Sequence, residues 1–209
     1  MSGLDGHIGL QLKNATTLLA LSDCDIGVSP TNWQQSTFPS HYHSKIEVVH
    51  EGIDTSRVRP NPQAHLMLPN GRQVGPSDEI VTFVVRNLEP LRSYHIFMRA
   101  LPEILRRRPN AQIVIIGRDG LSYGLPPPAG STWKSIFLEE MRDQLDMSRV
   151  HFMGGVPYHT FVAALQVSSA HVYLTYPFVL SWSALEAMSA GCLVIGSDTP
   201  PVGEVISSG

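Results

Sequence analysis

The stretch Tyr176-Pro177-Phe178-Val179-Leu180-Ser181-Trp182-Ser183-Ala184-Leu185-Glu186-Ala187-Met188-Ser189-Ala190-Gly191-Cys192 puts a single carboxylate in the first turns of a short helix of small and apolar residues. The flanking runs His171 to Leu174 and Leu193 to Gly196 read as buried parallel strands. The loop before the helix therefore opens at the carboxyl edge of a sheet, where open α/β sheets bind ligands.

Working back from this stretch, the pattern repeats. Apolar runs at Ile80 to Val85, Gln112 to Ile116 and Val150 to Phe152 alternate with helical periods at Tyr94 to Arg107, Trp133 to Gln144 and Tyr158 to Gln166. Short apolar strands separated by helices specify an α/β fold, a Rossmann-like parallel sheet with helices on both faces. In the first helix Phe97, Ala100, Leu101, Ile104 and Leu105 form the sheet-facing stripe. Pro102 removes a backbone bond there, which predicts a kink or restart near Leu101.

Before Ile80 the pattern differs. A helical Leu4 to Leu21, an apolar Asp25 to Ser29, a short helix from Thr31 and a strand at Lys45 to Val49 are too little for a domain. Residues 1–54 thus read as a remnant of a preceding domain, 55–79 as a linker rich in Pro, Asn and Gly, and 80–209 as the sheet domain. With no closing helix after the last strand, we expect a piece of a longer protein.

The 209 residues carry 43% hydrophobic and 16% charged residues and a net charge of -3, so no basic excess points to nucleic acid. Two cysteines far apart, Cys24 and Cys192, argue against a disulfide framework or a zinc site and fit a reducing, cytoplasmic setting. No apolar run is long enough to span a bilayer, which leaves only peripheral membrane contact open.

Two loops carry chemistry. Val85-Arg86-Asn87-Leu88-Glu89-Pro90-Leu91-Arg92-Ser93 leaves the first strand with two guanidiniums, planar forks matched to phosphate oxygens, and enters a helix whose free amides favour an anion. Alternatively, Glu89 simply pairs with Arg86 or Arg92 on the surface. Glu186 suits the two hydrogen bonds of a vicinal diol such as ribose, while Ser183-Ala184-Leu185-Glu186 equally fits a capping box. His41 and His43 read as solvated, and Gly117-Arg118-Asp119-Gly120 as a turn and not a dinucleotide fingerprint.

The order Arg86 to Arg92, Ala111 to Gly117, Val150-His151-Phe152-Met153-Gly154-Gly155-Val156-Pro157 and Leu185 to Gly191 resembles the donor domain of retaining glycosyltransferases of the GT-B fold, family 4 (group 1). Gly27 to Gln34 and Val48 to Asp54 look like the end of that family's acceptor domain. The resemblance implies an enzyme that transfers a hexose from a nucleotide sugar to a glycan or lipid-linked acceptor. The other reading is a module that binds nucleotide sugar without turnover.

By that resemblance Arg92 and Arg86 are the catalytic cations on the donor diphosphate, and Glu186 binds the nucleotide ribose. Family members carry a second glutamate eight positions before Glu186, where this chain has Phe178; Phe178, Val179, Leu180 and Ser181 would then meet the donor through backbone groups. Ser93 stands where a glycine is usual, and the turn with Gly154 and Val156 is where such proteins hold the base. The resemblance implies no metal and no cofactor beyond the donor.

Overall fold

Along Ile80-Val81-Thr82-Phe83-Val84, successive side chains face opposite sides of one strand. Val81 and Phe83 join a cluster with Ile113, Ile115, Phe97, Leu101 and Phe137. Ile80 and Val84 join another with Val114, Ile116, Leu66, Val74 and Ala164. A strand buried on both faces needs cover on both, and the computed structural model, which describes residues 3–207, supplies it.

Five parallel strands, β5 (Ile80–Asn87), β6 (Gln112–Arg118), β7 (Val150–Gly154), β8 (Ala170–Tyr173) and β9 (Leu193–Gly196), form one sheet in the order β7-β6-β5-β8-β9. The helices α3 (Tyr94–Arg107), α4 (Trp133–Met141), α5 (Tyr158–Gln166) and α6 (Trp182–Ser189) connect them, and a short α7 (Pro200–Gly203) follows β9. The chain builds outward from β5 to β7, then crosses back to place β8 on the other side of β5. This reversal of direction opens a crevice at the carboxyl ends of the strands.

The α/β reading of 80–209 is therefore correct. α3 runs without interruption through Pro102, so no restart occurs at Leu101. Its buried positions are Tyr94, Phe97, Met98, Leu101 and Leu105; Ala100, expected in the stripe, is exposed. Phe97 stacks on Phe83 with centroids 4.5 Å apart, which fixes the helix against the sheet.

Residues 55–79, read from composition as a linker, carry buried side chains. The chain divides into Met1–Glu51 and Gly52–Gly209. In the second unit Val58, Ala64, Leu66, Leu68 and Val74 are buried, the last four on or beside a two-stranded hairpin of β3 (Leu66–Met67) and β4 (Gln73–Val74). The first unit comprises α1 (Gly3–Asp23), β1 (Gly27–Ser29), α2 (Asn32–Ser36) and β2 (Ile46–Val48), with β1 and β2 parallel. Ile8, Leu10, Leu12 and Leu19 on α1 are exposed.

Ser93 is the only non-glycine residue with positive φ among those described (φ 56°), between the turn Pro90–Arg92 and α3. A side chain in the left-handed region crowds its own carbonyl at a cost of about 1–2 kcal/mol, partly offset because serine has fewer unfolded conformations than glycine. Ser93→Gly is expected to raise stability by about 0.5–1 kcal/mol, read as a higher urea midpoint. An unchanged or lower midpoint would mean that buried contacts of Ser93 outweigh its strain.

Candidate functional site

Arg86 follows Val85 at the carboxyl end of β5, and Arg118 ends β6 in register opposite Asn87. Both line a cleft of about 710 Å³ with Gly154, Gly155, Val156, Tyr158, Phe161, Ser181 and Ser183. Neither guanidinium has a hydrogen-bond or carboxylate partner among the described residues, whereas Arg72, Arg99, Arg108 and Arg149 all pair with carboxylates. Two arginines without carboxylate partners thus line one cavity, an arrangement that favours a polyanion.

Arg118 escaped the sequence reading, which took it as part of a turn; the available signal was a basic residue ending the strand next to that of Arg86. Its side chain lies against Gly155, where a Cβ would fall 2.9 Å from Nε. Only glycine leaves that path open.

Arg92 does not line this cleft. Its guanidinium carbon lies 5.1 Å from the Phe178 centroid and 5.7 Å from that of Tyr123, and the two rings are 5.5 Å apart. The cation is held on two aromatic faces. Its charge still reaches the hydroxyl of Tyr173, which accepts the Ser181 N–H at 2.9 Å beside the cleft; burial raises that phenol above its ordinary range.

Glu89 pairs with neither arginine. It is fully buried, and Oε2 accepts N–H bonds from Ser122 (3.2 Å) and Gly124 (3.1 Å). Asn87 Nδ2 donates to Ser122 Oγ at 2.5 Å, so the β5 loop anchors the loop that carries Tyr123. The amides of Arg92, Ser93 and Tyr94 bond to the carbonyls of Glu89 and Pro90, so the start of α3 does not present them to a ligand.

The capping-box reading of Glu186 also fails. The cap of α6 is Ser181, whose Oγ accepts from Ser183 N at 3.3 Å, two residues before the expected position. Glu186 is 8% exposed and accepts a 2.7 Å hydrogen bond from the hydroxyl of Tyr158, a wall of the cleft. This bond, and next burial, raises the Tyr158 phenol. Sequence reasoning missed Tyr158, whose only signal is its place at the start of a helix.

The remaining expected residues divide. Gly154, with φ 67° at a turn, Val156 and Ser181 line the cleft. Leu180 is 1% exposed in a cluster with Tyr173, Ala184 and Val202, so it offers only its backbone. Phe178 packs on Arg92, and Val179 is half-buried outside the lining. Among the described residues no three His, Cys, Asp or Glu side chains are grouped to hold a metal. Burial raises the Cys192 thiol to about 11, and its Sγ donates to Leu165 O, so it is no nucleophile.

No described helix is long and apolar enough to cross a membrane. The fold is that of GT-B glycosyltransferases, as comparison with solved structures shows. The C-terminal domain of a glycosyl transferase group 1 family protein from Francisella tularensis superposes with a TM-score of 0.59 at 18% identity, over 75% of this chain and 76% of that one. The catalytic domain of starch synthase IV from Arabidopsis thaliana, bound to ADP and acarbose, gives 0.62 at 16% identity, over 90% and 42%.

Among curated proteins, the chain is 28% identical over 206 residues to a phosphatidylinositol N-acetylglucosaminyltransferase subunit of Arabidopsis thaliana, covering 95% of this chain and 40% of that protein. It is 29% identical over 168 residues to D-inositol 3-phosphate glycosyltransferase of Nocardia farcinica, covering 79% and 35%. The chain thus spans two fifths or less of the length of these relatives. Residues 1–58 match the model of the glycosyl transferase family 4 group. Residues 71–209, two thirds of the chain, match that of glycosyl transferases group 1, and the chain belongs to this family.

Proposed function

We propose that this chain provides the nucleotide-sugar half of a retaining family 4 glycosyltransferase, which moves a hexose from a nucleotide sugar to a glycan or lipid-linked acceptor. The observation that carries the reading is the cleft at the sheet's carboxyl edge. It has the unpaired guanidiniums of Arg86 and Arg118 on one side and Tyr158, bonded to Glu186, on another. A nucleoside diphosphate has both complements, two phosphates and a ribose diol.

In this reading Arg86 and Arg118 from the cleft, and Arg92 from its edge, hold the diphosphate. As the sugar–phosphate bond breaks, charge develops on the leaving diphosphate, and fixed cations stabilise it there more than in the ground state. Glu186 takes the ribose hydroxyls, and the turn at Gly154 and Val156 borders the base. The arginines assume the role of a metal, and no further cofactor is invoked.

The replacement of a carboxylate by Phe178 favours, as a second reading, binding without turnover, because the aromatic ring offers no hydrogen-bond acceptor to a sugar. Slow hydrolysis of a nucleotide sugar by the purified chain supports transfer chemistry, and binding with no hydrolysis supports the second reading.

Calorimetric titration with UDP, GDP and ADP tests the site itself. One nucleotide is expected to bind, and Glu186→Gln is expected to weaken it about 10-fold, the value of one or two hydrogen bonds to a charged group. A folded chain that binds none of the three overturns the proposal.

A further inference from the structure

The only hydrogen bond that the Glu186 side chain makes among the described residues comes from Tyr158, at 2.7 Å. Tyr158 opens α5 and Glu186 lies in α6, so the bond ties together the two helices that flank this part of the cleft. The outer side of the ring is occupied as well: the Arg57 guanidinium carbon lies 5.4 Å from its centroid.

Arg57 is itself held in a built turn. Asp54 Oδ1 accepts the N–H groups of Ser56 (3.0 Å) and Arg57 (3.3 Å), and the Asp54 carbonyl accepts that of Val58 at 2.9 Å. Val58 is fully buried among Leu165, Ala187 and Ala190 of the two helices or their ends. Ser189 Oγ donates to the Val58 carbonyl, and Gln166 Nε2 to that of Arg59 at 2.8 Å. The segment that composition marks as a linker is thus a strap across α5 and α6.

We propose that Tyr158 is a positioning residue that aims the Glu186 carboxylate at the vicinal diol of the nucleotide, and that Arg57, fixed by this strap, holds the Tyr158 ring in place. The inference rests on the nucleotide-sugar reading above. A carboxylate with no anchor would sample several rotamers and spend part of its binding free energy on being ordered. With one oxygen fixed by a phenol donor, the carboxylate is preorganised to accept from the ligand.

The test is calorimetry with UDP, GDP and ADP, followed by the 2′-deoxy and 3′-deoxy forms of the one that binds, on the whole chain and on Tyr158→Phe, Glu186→Gln and the double variant. Tyr158→Phe keeps the ring and its contact with Arg57 but leaves the buried Glu186 carboxylate without its donor, so a modestly lower melting temperature is expected and binding is compared well below the transition of every variant. Wild type should prefer the ribonucleotide over a deoxy form by about 10-fold, and Tyr158→Phe should reduce this preference to about 3-fold or less. Adding Tyr158→Phe to Glu186→Gln should change little, because the two groups act as one unit.

A Tyr158→Phe variant that keeps the full ribose preference, whether its overall affinity falls or not, overturns the inference: Tyr158 then only walls the cleft. Loss of binding in Glu186→Gln beside such a variant leaves the nucleotide-sugar reading standing. A wild-type chain that binds no nucleotide ends both.

Discussion

Arg118→Ala is expected to lower nucleoside diphosphate affinity by about 10- to 100-fold, since a hydrogen bond to a charged group contributes about 1.5–3 kcal/mol. Arg86→Ala should do the same. Both lie at the carboxyl ends of adjacent strands, face one cleft and lack carboxylate partners, so neither loss is masked by an internal salt bridge. Together they should cost about 100- to 10,000-fold if they grip different oxygens, and less if they share one. The uncharged nucleoside should bind all forms alike, because it offers neither arginine a phosphate. Arg118→Lys should restore only part of the loss, since a point charge replaces a planar fork. Gly155→Ala provides a second route to the same site, as the added Cβ would fall 2.9 Å from Arg118 Nε and must move it. Calorimetry on the five variants with diphosphate and nucleoside decides the matter: equal losses for both ligands would mean that the arginines support the cleft instead of binding phosphate.

Arg118 also marks where the sequence stops being readable. The strands were legible because each is a short apolar run whose alternate residues enter the two clusters, as Val81 and Phe83 do on one face and Ile80 and Val84 on the other. Arg86 stood out as a candidate because it sits at a strand end, where the topology of a parallel sheet places ligands, and Glu186 because it is the one carboxylate in the helix that follows the next such edge. Arg118 has the same address, but its Gly-Arg-Asp-Gly setting is dominated by turn-forming residues, and strand register is set by pairing across distant segments.

The burial within residues 55–79 was hidden for a related reason. Two-residue strands carry no period, and Pro, Asn and Gly hide the few apolar side chains, Val58, Leu66, Leu68 and Val74, that the core buries. The capping-box error at Ser183 is one of boundary: serines stand at both 181 and 183, and only backbone geometry chooses between them. The positive φ of Ser93 and the burial of Glu89 have no local signature, since serine and glutamate are ordinarily neither left-handed nor fully enclosed.

Acid should destabilise the sheet through His171, which is fully buried on the strand next to β5. Its Nδ1 lies 2.9 Å from Thr82 Oγ1, which in turn lies 2.8 Å from Ser168 Oγ, while Nε2 has no partner among the described residues. A second proton would leave an imidazolium with an unpaired buried N–H and no carboxylate, so burial depresses its pKa from 6.5 to about 4. The unfolded chain takes up that proton near pH 6.5 and the folded chain only near pH 4. Stability is therefore complete above about pH 6.5 and falls as the pH drops through this window, by about 1.4 kcal/mol per pH unit. His95 and His151 are shifted downward too, chiefly by burial, and add in the same direction. Between pH 7.5 and 5 the His171 contribution alone comes to about 2 kcal/mol. The lowered carboxylates, such as Glu103 at about 2, stay ionised over that range and do not confuse the reading. Urea denaturation at the two pH values, on wild type and on His171→Asn, measures it. The variant keeps a polar group beside Thr82 but cannot titrate; it should be less stable at pH 7.5 yet lose less than half as much on acidification. Equal losses in the two proteins would show that His171 is protonated in the fold at no cost, and that the acid sensitivity resides elsewhere.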